Sequence, residues 1–333
     1  MPFYREKAEA PAKINLFLDI VARRKDGFHE LSTLMQKISL ADTLQLAVFE
    51  KQKPSPDLPA DAQRVLFEED GCRLIFDLLS AEALPAGRDN SCVRAFRAFA
   101  DALSPAEAAL FCGKTFYIAL EKTIPIQGGL GGGSADAAAV IRLLADYIRK
   151  EAGILWSEDL LMKIAAGIGA DVPFCLHKQA LCYCTGIGEI CRSVRGAERP
   201  LPLLWLFPEI KVSTPEAFAA FDRMPEEKRA GIGKTPARAF VKAMQNQNYA
   251  ALKGIGRNSF TALQGSQHPE LISYINILYK AGADYAGMSG SGPSLFALFP
   301  DSASRSRALA VLNDLRENKK INAEILTAET RCT

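Results

Sequence analysis

The stretch Lys122–Gly153, KTIPIQGGLGGGSADAAAVIRLLADYIRKEAG, decides how the rest of the chain is read. From 128 to 133 every residue but Leu130 is glycine: Gly128, Gly129, Gly131, Gly132 and Gly133. Ser134 then opens an alanine-rich run that predicts a helix to about Lys150, stopped by Gly153. Glycine takes positive φ and lets other groups approach the backbone. A glycine run feeding a helix turns several N–H groups toward one point, and the helix end adds about half a positive charge. That is an anion cradle, and phosphate is the anion it suits.

A flexible linker would carry Ser and polar residues on both sides. Here the glycines lie between the apolar run Phe116-Tyr117-Ile118-Ala119-Leu120 and a strongly helical segment. The loop is not a P-loop, since no Gly-Lys-Ser/Thr follows, and it lacks the G-x-G-x-x-G dinucleotide pattern.

Working outward toward the N-terminus, residues 11–21 alternate. Ala12, Ile14, Leu16, Leu18 and Ile20 share one face, with Lys13, Asn15, Phe17 and Asp19 on the other. That period predicts a half-buried strand with Lys13 and Asn15 on its exposed face. A turn at Lys25-Asp26-Gly27 leads to Phe28 and His29, one of three histidines. Strand-like sequence follows at Leu31–Leu40 and Leu44–Val48. Residues 51–59 read as a loop, and the stretch to about Pro85 reads as irregular. Helices are expected at Asn90–Leu103, Pro105–Phe111 and Ser157–Ile168, and a strand at Thr115–Glu121. Asp171 sits between the Gly167/Gly169 pair and Pro173, on a loop of fixed shape.

Beyond a short strand at Leu181–Cys184, charged and turn-forming residues from Arg192 to Pro202 mark the best boundary, giving domains 1–195 and 196–333. The second half predicts strands at Leu203–Phe207 and Ile210–Val212, a helix capped by Thr214, and helices to Gly254 and over Pro269–Ala281. Strands at Tyr285–Met288 and Leu295–Phe299 flank a second Gly/Ser loop, Ser289-Gly290-Ser291-Gly292-Pro293. A helix and a strand near Ile321–Leu326 close the chain. Strands and helices mix without strict alternation, which favours an α+β class.

Length and composition agree with two cores: 333 residues, 48% hydrophobic and 23% charged. A net charge of +2 points to neither nucleic acid nor an anionic membrane. No apolar run reaches membrane-span length, and MPFYREKAEA lacks a signal-peptide core, so the expected setting is cytoplasmic. Cys175, His177, Cys182, Cys184 and Cys191 cluster in sequence but without the paired ligand spacing of structural zinc. Buried free thiols in a reducing compartment are the expectation, and no metal-ligating residues are assigned.

Three pieces together, Pro11-Ala12-Lys13-Ile14-Asn15-Leu16, the loop Pro125–Ser134 and Met288–Pro293, resemble the GHMP small-molecule kinases over nearly the whole chain. Asp26-Gly27-Phe28-His29, the triple glycine before Ser134 and Gly169–Pro173 narrow the resemblance within that superfamily. It narrows to kinases acting on the 2-hydroxyl of 4-diphosphocytidyl-2-C-methyl-D-erythritol, in the non-mevalonate route to isoprenoids. The resemblance implies a two-domain α+β fold: an N-terminal part like ribosomal protein S5 domain 2 and a ferredoxin-like C-terminal part. It also implies ATP and Mg²⁺, a small-molecule partner, and a monomer or weak homodimer.

Residue by residue, the resemblance places Lys13 and Asp171 at the reaction centre. It assigns Lys122, Pro125, Ile126, Gln127, Gly128, Gly129, Leu130, Gly131, Gly132, Gly133, Ser134 and Ala135 to the nucleotide. Asn15, Phe28, His29 and Phe218 fall to the alcohol substrate, with His29 reading the cytosine and Phe218 stacking on it. Two departures stand out. Phe28 replaces a usual Tyr, and Ala135 a common second Ser, removing one hydroxyl expected near the phosphates. The stretch at about 50–88 also looks longer than such a kinase needs. A homoserine- or mevalonate-type kinase and a silent ligand sensor are the alternatives. His29 and Phe218 speak against the first, and retention of Lys13 with Asp171 against the second.

Overall fold

The structure, a computed structural model, describes residues 1–50, 63–69, 72–79, 87, 89–126, 128–230, 232 and 234–332. The loop expected at 51–59 lies outside the described residues. The chain divides into two compact, interleaved units. The first holds Met1–Ala12, Leu40–Pro125 and Gly131–His177, the second Lys13–Ser39, Ile126–Leu130 and Lys178–Thr333. Two long strands, β1 (Tyr4–Arg23) and β2 (His29–Glu50), contribute to both and pair with each other.

In the first unit, β3 (Gln63–Glu69) and β4 (Cys72–Leu79) form an antiparallel hairpin in a stretch that reads as irregular from sequence. The alternation that marks a half-buried strand is missing, because β4 buries Leu74, Ile75, Phe76, Asp77 and Leu78 in succession. Helices α1 (Ser91–Ala100) and α2 (Pro105–Ala108) follow. Asn90 caps the first, and a capping box of Ser104 and Glu107 starts the second. Strand β5 (Lys114–Glu121) pairs parallel with β4 and antiparallel with Thr43–Glu50 of β2.

Helix α3 (Gly132–Ala152) starts two residues before Ser134 and stops, as expected, at Gly153, whose φ is 69°. Its alanines let it lie close against its neighbours. Ala135, Ala137, Ala138 and Ala139 are fully buried. Helix α4 (Glu158–Ile168) is capped by Ser157, and the short α5 (Val172–Leu176) packs on α3. Phe96, Phe111, Phe116 and Tyr147 form an aromatic core, with the Phe111 and Phe116 rings stacked at 4.5 Å.

In the second unit, β6 (Leu181–Thr185) pairs with Thr33–Gln36 of β2 and with β7 (Ile190–Ser193). Strand β8 (Pro202–Pro208) is followed by α6 (Thr214–Arg223), α7 (Glu226–Ala230), α8 (Ala237–Gln245), α9 (Leu252–Ile255), α10 (Thr261–Gln267) and α11 (Pro269–Lys280). Then come β9 (Tyr285–Met288), β10 (Leu295–Leu298), α12 (Ser302–Glu317) and β11 (Ala323–Glu329). The order β11-β8-β10-β9 makes a four-stranded antiparallel sheet, and Leu204, Leu206, Leu271, Leu278 and Leu312 pack into its core. The short strand expected at 210–212 is absent, and Ser213 rather than Thr214 holds the cap position of α6.

The expected exposed face of residues 13–19 is buried. Lys13, Asn15 and Asp19 are 4%, 1% and 2% exposed, since the chain covers both faces of β1 there. None of the cysteines is in a disulfide, but only Cys92, Cys175, Cys182 and Cys184 are buried. No helix among the described residues is long and apolar enough to cross a membrane.

Candidate active site

Three segments distant in sequence meet in the second unit. The Lys13 backbone N–H donates to the carbonyl of Leu130 at 2.9 Å, fastening the glycine loop to β1. The Asn15 N–H donates to Ser289 Oγ at 3.0 Å, fastening the second Gly/Ser loop to the same strand. Ser294 Oγ donates to the carbonyl of Gly128. A side chain begun at Gly129 would start 3.4 Å from the Ser289 carbonyl oxygen. Gly129 also has φ 67°, so the close approach and the left-handed backbone both require glycine.

Lys13 Nζ donates to Asn15 Oδ1 at 2.8 Å. Asn15 Nδ2 donates in turn to Thr33 Oγ1 at 2.9 Å, and the Thr33 hydroxyl donates to the Phe17 carbonyl at 2.6 Å. A buried chain of donors and acceptors thus holds the ammonium of Lys13 in one place. Asn258, which nothing in its local sequence marks, donates through Nδ2 to the carbonyls of Met288 and Gly290 at 2.8 and 2.9 Å. It sets the shape of the second loop.

His29 and Phe218 lie against each other. Their rings stack at 4.7 Å and 24°, and Phe218 meets Phe260 edge-on at 4.9 Å. His29 Nε2 lies 2.8 Å from Asp222 Oδ1, a hydrogen-bonding partner missed in the sequence. The signal was available: Asp222 is four residues after Phe218 on α6, hence on the same face. Phe28 stands apart on the turn, 58% exposed, its N–H bonded to Asp26 Oδ1 at 3.1 Å.

Gly131–Ala135 and Asp171 belong to the first unit. Gly131, at φ 67°, precedes α3 without a side-chain cap, so the first N–H groups of that helix are left to other partners. Ser134 is half-buried in the first turn, whereas Ala135 is fully buried. Asp171 occupies the position before α5, half-buried, with its carbonyl accepting from Cys175 N–H at 3.1 Å.

Lys122 is enclosed. Its Nζ is ion-paired with Asp42 and with Asp136 at 2.9 Å, and the three side chains are 6%, 0% and 2% exposed. Burial pushes the Asp136 carboxyl well above the usual carboxylate range. Lys122 pulls it back and Asp42 pushes it further up. Burial lowers the Lys122 ammonium, but the two carboxylates outweigh that and leave it raised. Among the described residues no group of three or more His, Cys, Asp or Glu is arranged to hold a metal ion.

The sequence profile of the GHMP kinases N terminal domain matches residues 90–179, and that of the GHMP kinases C terminal region matches 240–318. The chain belongs to the GHMP kinases and has their fold. It is 30% identical over 298 residues to a 4-diphosphocytidyl-2-C-methyl-D-erythritol kinase of Desulfotalea psychrophila, covering 90% of this chain and 87% of the relative. It is 34% identical to the enzyme of that name from Thermotoga maritima, over 87% of this chain and 90% of the relative. A crystal structure of 4-(cytidine 5'-diphospho)-2C-methyl-D-erythritol kinase superposes with a TM-score of 0.71 at 28% identity, covering 98% of this chain and all of that one. Within the GHMP kinases, the chain belongs to the 4-diphosphocytidyl-2-C-methyl-D-erythritol kinase family.

Proposed function

We propose that the chain transfers the γ-phosphoryl group of ATP to the 2-hydroxyl of 4-diphosphocytidyl-2-C-methyl-D-erythritol. One observation carries this reading: β1, the glycine loop and the second Gly/Ser loop are fastened together at Lys13–Leu130 and Asn15–Ser289. The bond formed is from the hydroxyl oxygen to phosphorus, the bond broken is the β,γ-bridge, and the hydroxyl proton must leave. Asp171 is assigned as its acceptor. Lys13, held by Asn15, is assigned to orient the hydroxyl and offset charge on the transferring group. Little else is asked of the protein, because phosphoryl transfer rests on positioning and electrostatics.

The loop 125–135 is assigned to the ATP phosphates. Its fit rests on the left-handed Gly129 and Gly131 and on the uncapped start of α3. Magnesium needs only one or two protein oxygens beside phosphate and water. The half-buried Ser134 hydroxyl suits that demand. When bound, the ion would neutralise phosphate charge.

The alcohol's cytosine is assigned to His29, its ring fixed by Asp222 and Phe218. The two profile matches fall one on each side of residue 195, which supports an ATP-binding part at 1–195 and a ferredoxin-like part at 196–333. The reading includes a cytoplasmic monomer or weak homodimer with no nucleic-acid or membrane partner. ADP release with the diphosphocytidyl alcohol, set against homoserine and mevalonate, tests it. Release with either of the latter alone would redirect the assignment.

A further inference from the structure

The buried ion cluster of the first unit reaches the two ends of the glycine loop. Asp42 Oδ1 accepts the N–H groups of Thr123 and Ile124 at 2.5 and 2.8 Å, fixing the corner where the chain leaves β5. Its other oxygen holds Lys122 Nζ. That ammonium also reaches Asp136 Oδ2, which lies on the first turns of α3 just past the loop. The Lys122–Asp136 pair therefore closes a ring, 14 residues apart in sequence, that contains the whole loop. The start of α3 rests directly on it. A side chain begun at Gly132 would lie 3.2 Å from Lys122 Nζ and 3.2 Å from Ile124 Cγ2.

We propose that Asp42, Lys122 and Asp136 form a buried staple that positions the loop for the ATP phosphates, with Lys122 acting from beneath rather than as a phosphate ligand. Lys122 is oriented by two carboxylates, and almost none of its side chain is exposed. A flexible glycine loop loses conformational entropy when it closes on a ligand. Pinning both of its ends moves that loss from binding to folding. The cluster also limits charge beneath an anion site, because the Lys122 ammonium offsets the Asp42 carboxylate.

The inference rests on the ATP-kinase reading, so binding of a non-hydrolysable ATP analogue is measured by calorimetry alongside activity. If the unaltered protein fails to bind the analogue, the kinase reading fails. If it binds, the carboxylate variants decide. Asp136→Ala and Asp42→Asn should each weaken the analogue roughly 10-fold or more and raise the ATP KM to match. The alcohol KM and kcat should stay within about 3-fold. Asp136→Asn keeps an acceptor for Lys122 and should restore affinity to near the unaltered value. Unchanged or tighter binding in Asp136→Ala and Asp42→Asn would overturn the proposal, because freeing a true phosphate ligand costs nothing. Should one variant not fold, the other decides, together with hydrogen exchange of the 128–135 amides, which must quicken if the staple positions the loop and stay unchanged if it does not.

Discussion

The Asn15 N–H and the Ser289 hydroxyl oxygen lie 3.0 Å apart across 274 residues of sequence. That bond makes β1 and the second Gly/Ser loop one object, and the side chain of Asn15 also orients Lys13. Asn15→Leu removes the acceptor for Lys13 Nζ and the donor to Thr33. An unmade buried hydrogen bond costs about 1–3 kcal/mol, so urea melts should show a loss of that order. Turnover should fall further than stability implies, because Lys13 loses the Asn15 acceptor that orients it. A variant as active as the unaltered protein would remove Asn15 from the site.

Asp171→Asn preserves shape and removes the proton acceptor. Turnover should drop by roughly 10²–10⁴-fold with ATP-analogue affinity little changed. Lys13→Met should also lower turnover, and the double variant should lose less than the product of the two. Multiplicative losses would mean that they act independently.

Gly131 holds φ 67° ahead of α3. A β-branched residue is strained there, so Gly131→Val should abolish calorimetric binding of an ATP analogue while circular dichroism stays native. Gly128→Ala fails for another reason. Its new carbon would start 2.2 Å from Phe207 Cε1, so that ring must move. Unaltered ATP affinity in the valine variant would reduce the run to a plain turn.

The carboxyl of Asp136 is raised in the fold by burial, then by Asp42, against the pull of Lys122. The folded chain keeps a proton that the unfolded chain sheds above about pH 4. Stability from this group is therefore present at low pH and declines as pH rises toward the raised folded value. Asp136→Asn cannot titrate. Its stability relative to the unaltered protein should climb between roughly pH 5 and pH 8 in parallel urea melts. A pH-independent difference would place the proton elsewhere.

Much of the fold could be read locally. Gly153 ends α3, Ser157 caps α4, and β9 pairs with β10 around the second loop, as caps, glycines and short apolar runs indicate. The failures share one cause. Strand β4 is buried on both faces and pairs parallel with β5, so it shows no alternation. The face of β1 bearing Lys13 and Asn15 looked solvated because its cover comes from residues as far away as Ser289. Asp42 gains its meaning only from Lys122, 80 residues away, and Asp222, though it shares a helix face with Phe218, meets a His29 that is 193 residues away. No window of sequence contains those pairs.

The proposed base recognition is tested at the stacked rings of His29 and Phe218. His29→Ala and Phe218→Ala should raise the KM for the cytidyl alcohol more than they lower kcat, with ATP affinity untouched. Asp222→Asn should do the same more weakly, by loosening the His29 ring. Phe28 is exposed, so Phe28→Tyr should be neutral or slightly favourable. Loss of ATP binding in the Phe218 variant would assign that ring to the nucleotide.

The central claim is that this chain phosphorylates the tertiary 2-hydroxyl of the diphosphocytidyl alcohol. Phosphorus NMR of a reaction with ATP, Mg²⁺ and that alcohol reads it directly. A new phosphomonoester resonance should grow in step with ADP while the diphosphate resonances of the alcohol persist, and Asp171→Asn should suppress it. ADP formation without that resonance, or the same resonance at full rate in Asp171→Asn, would contradict the account.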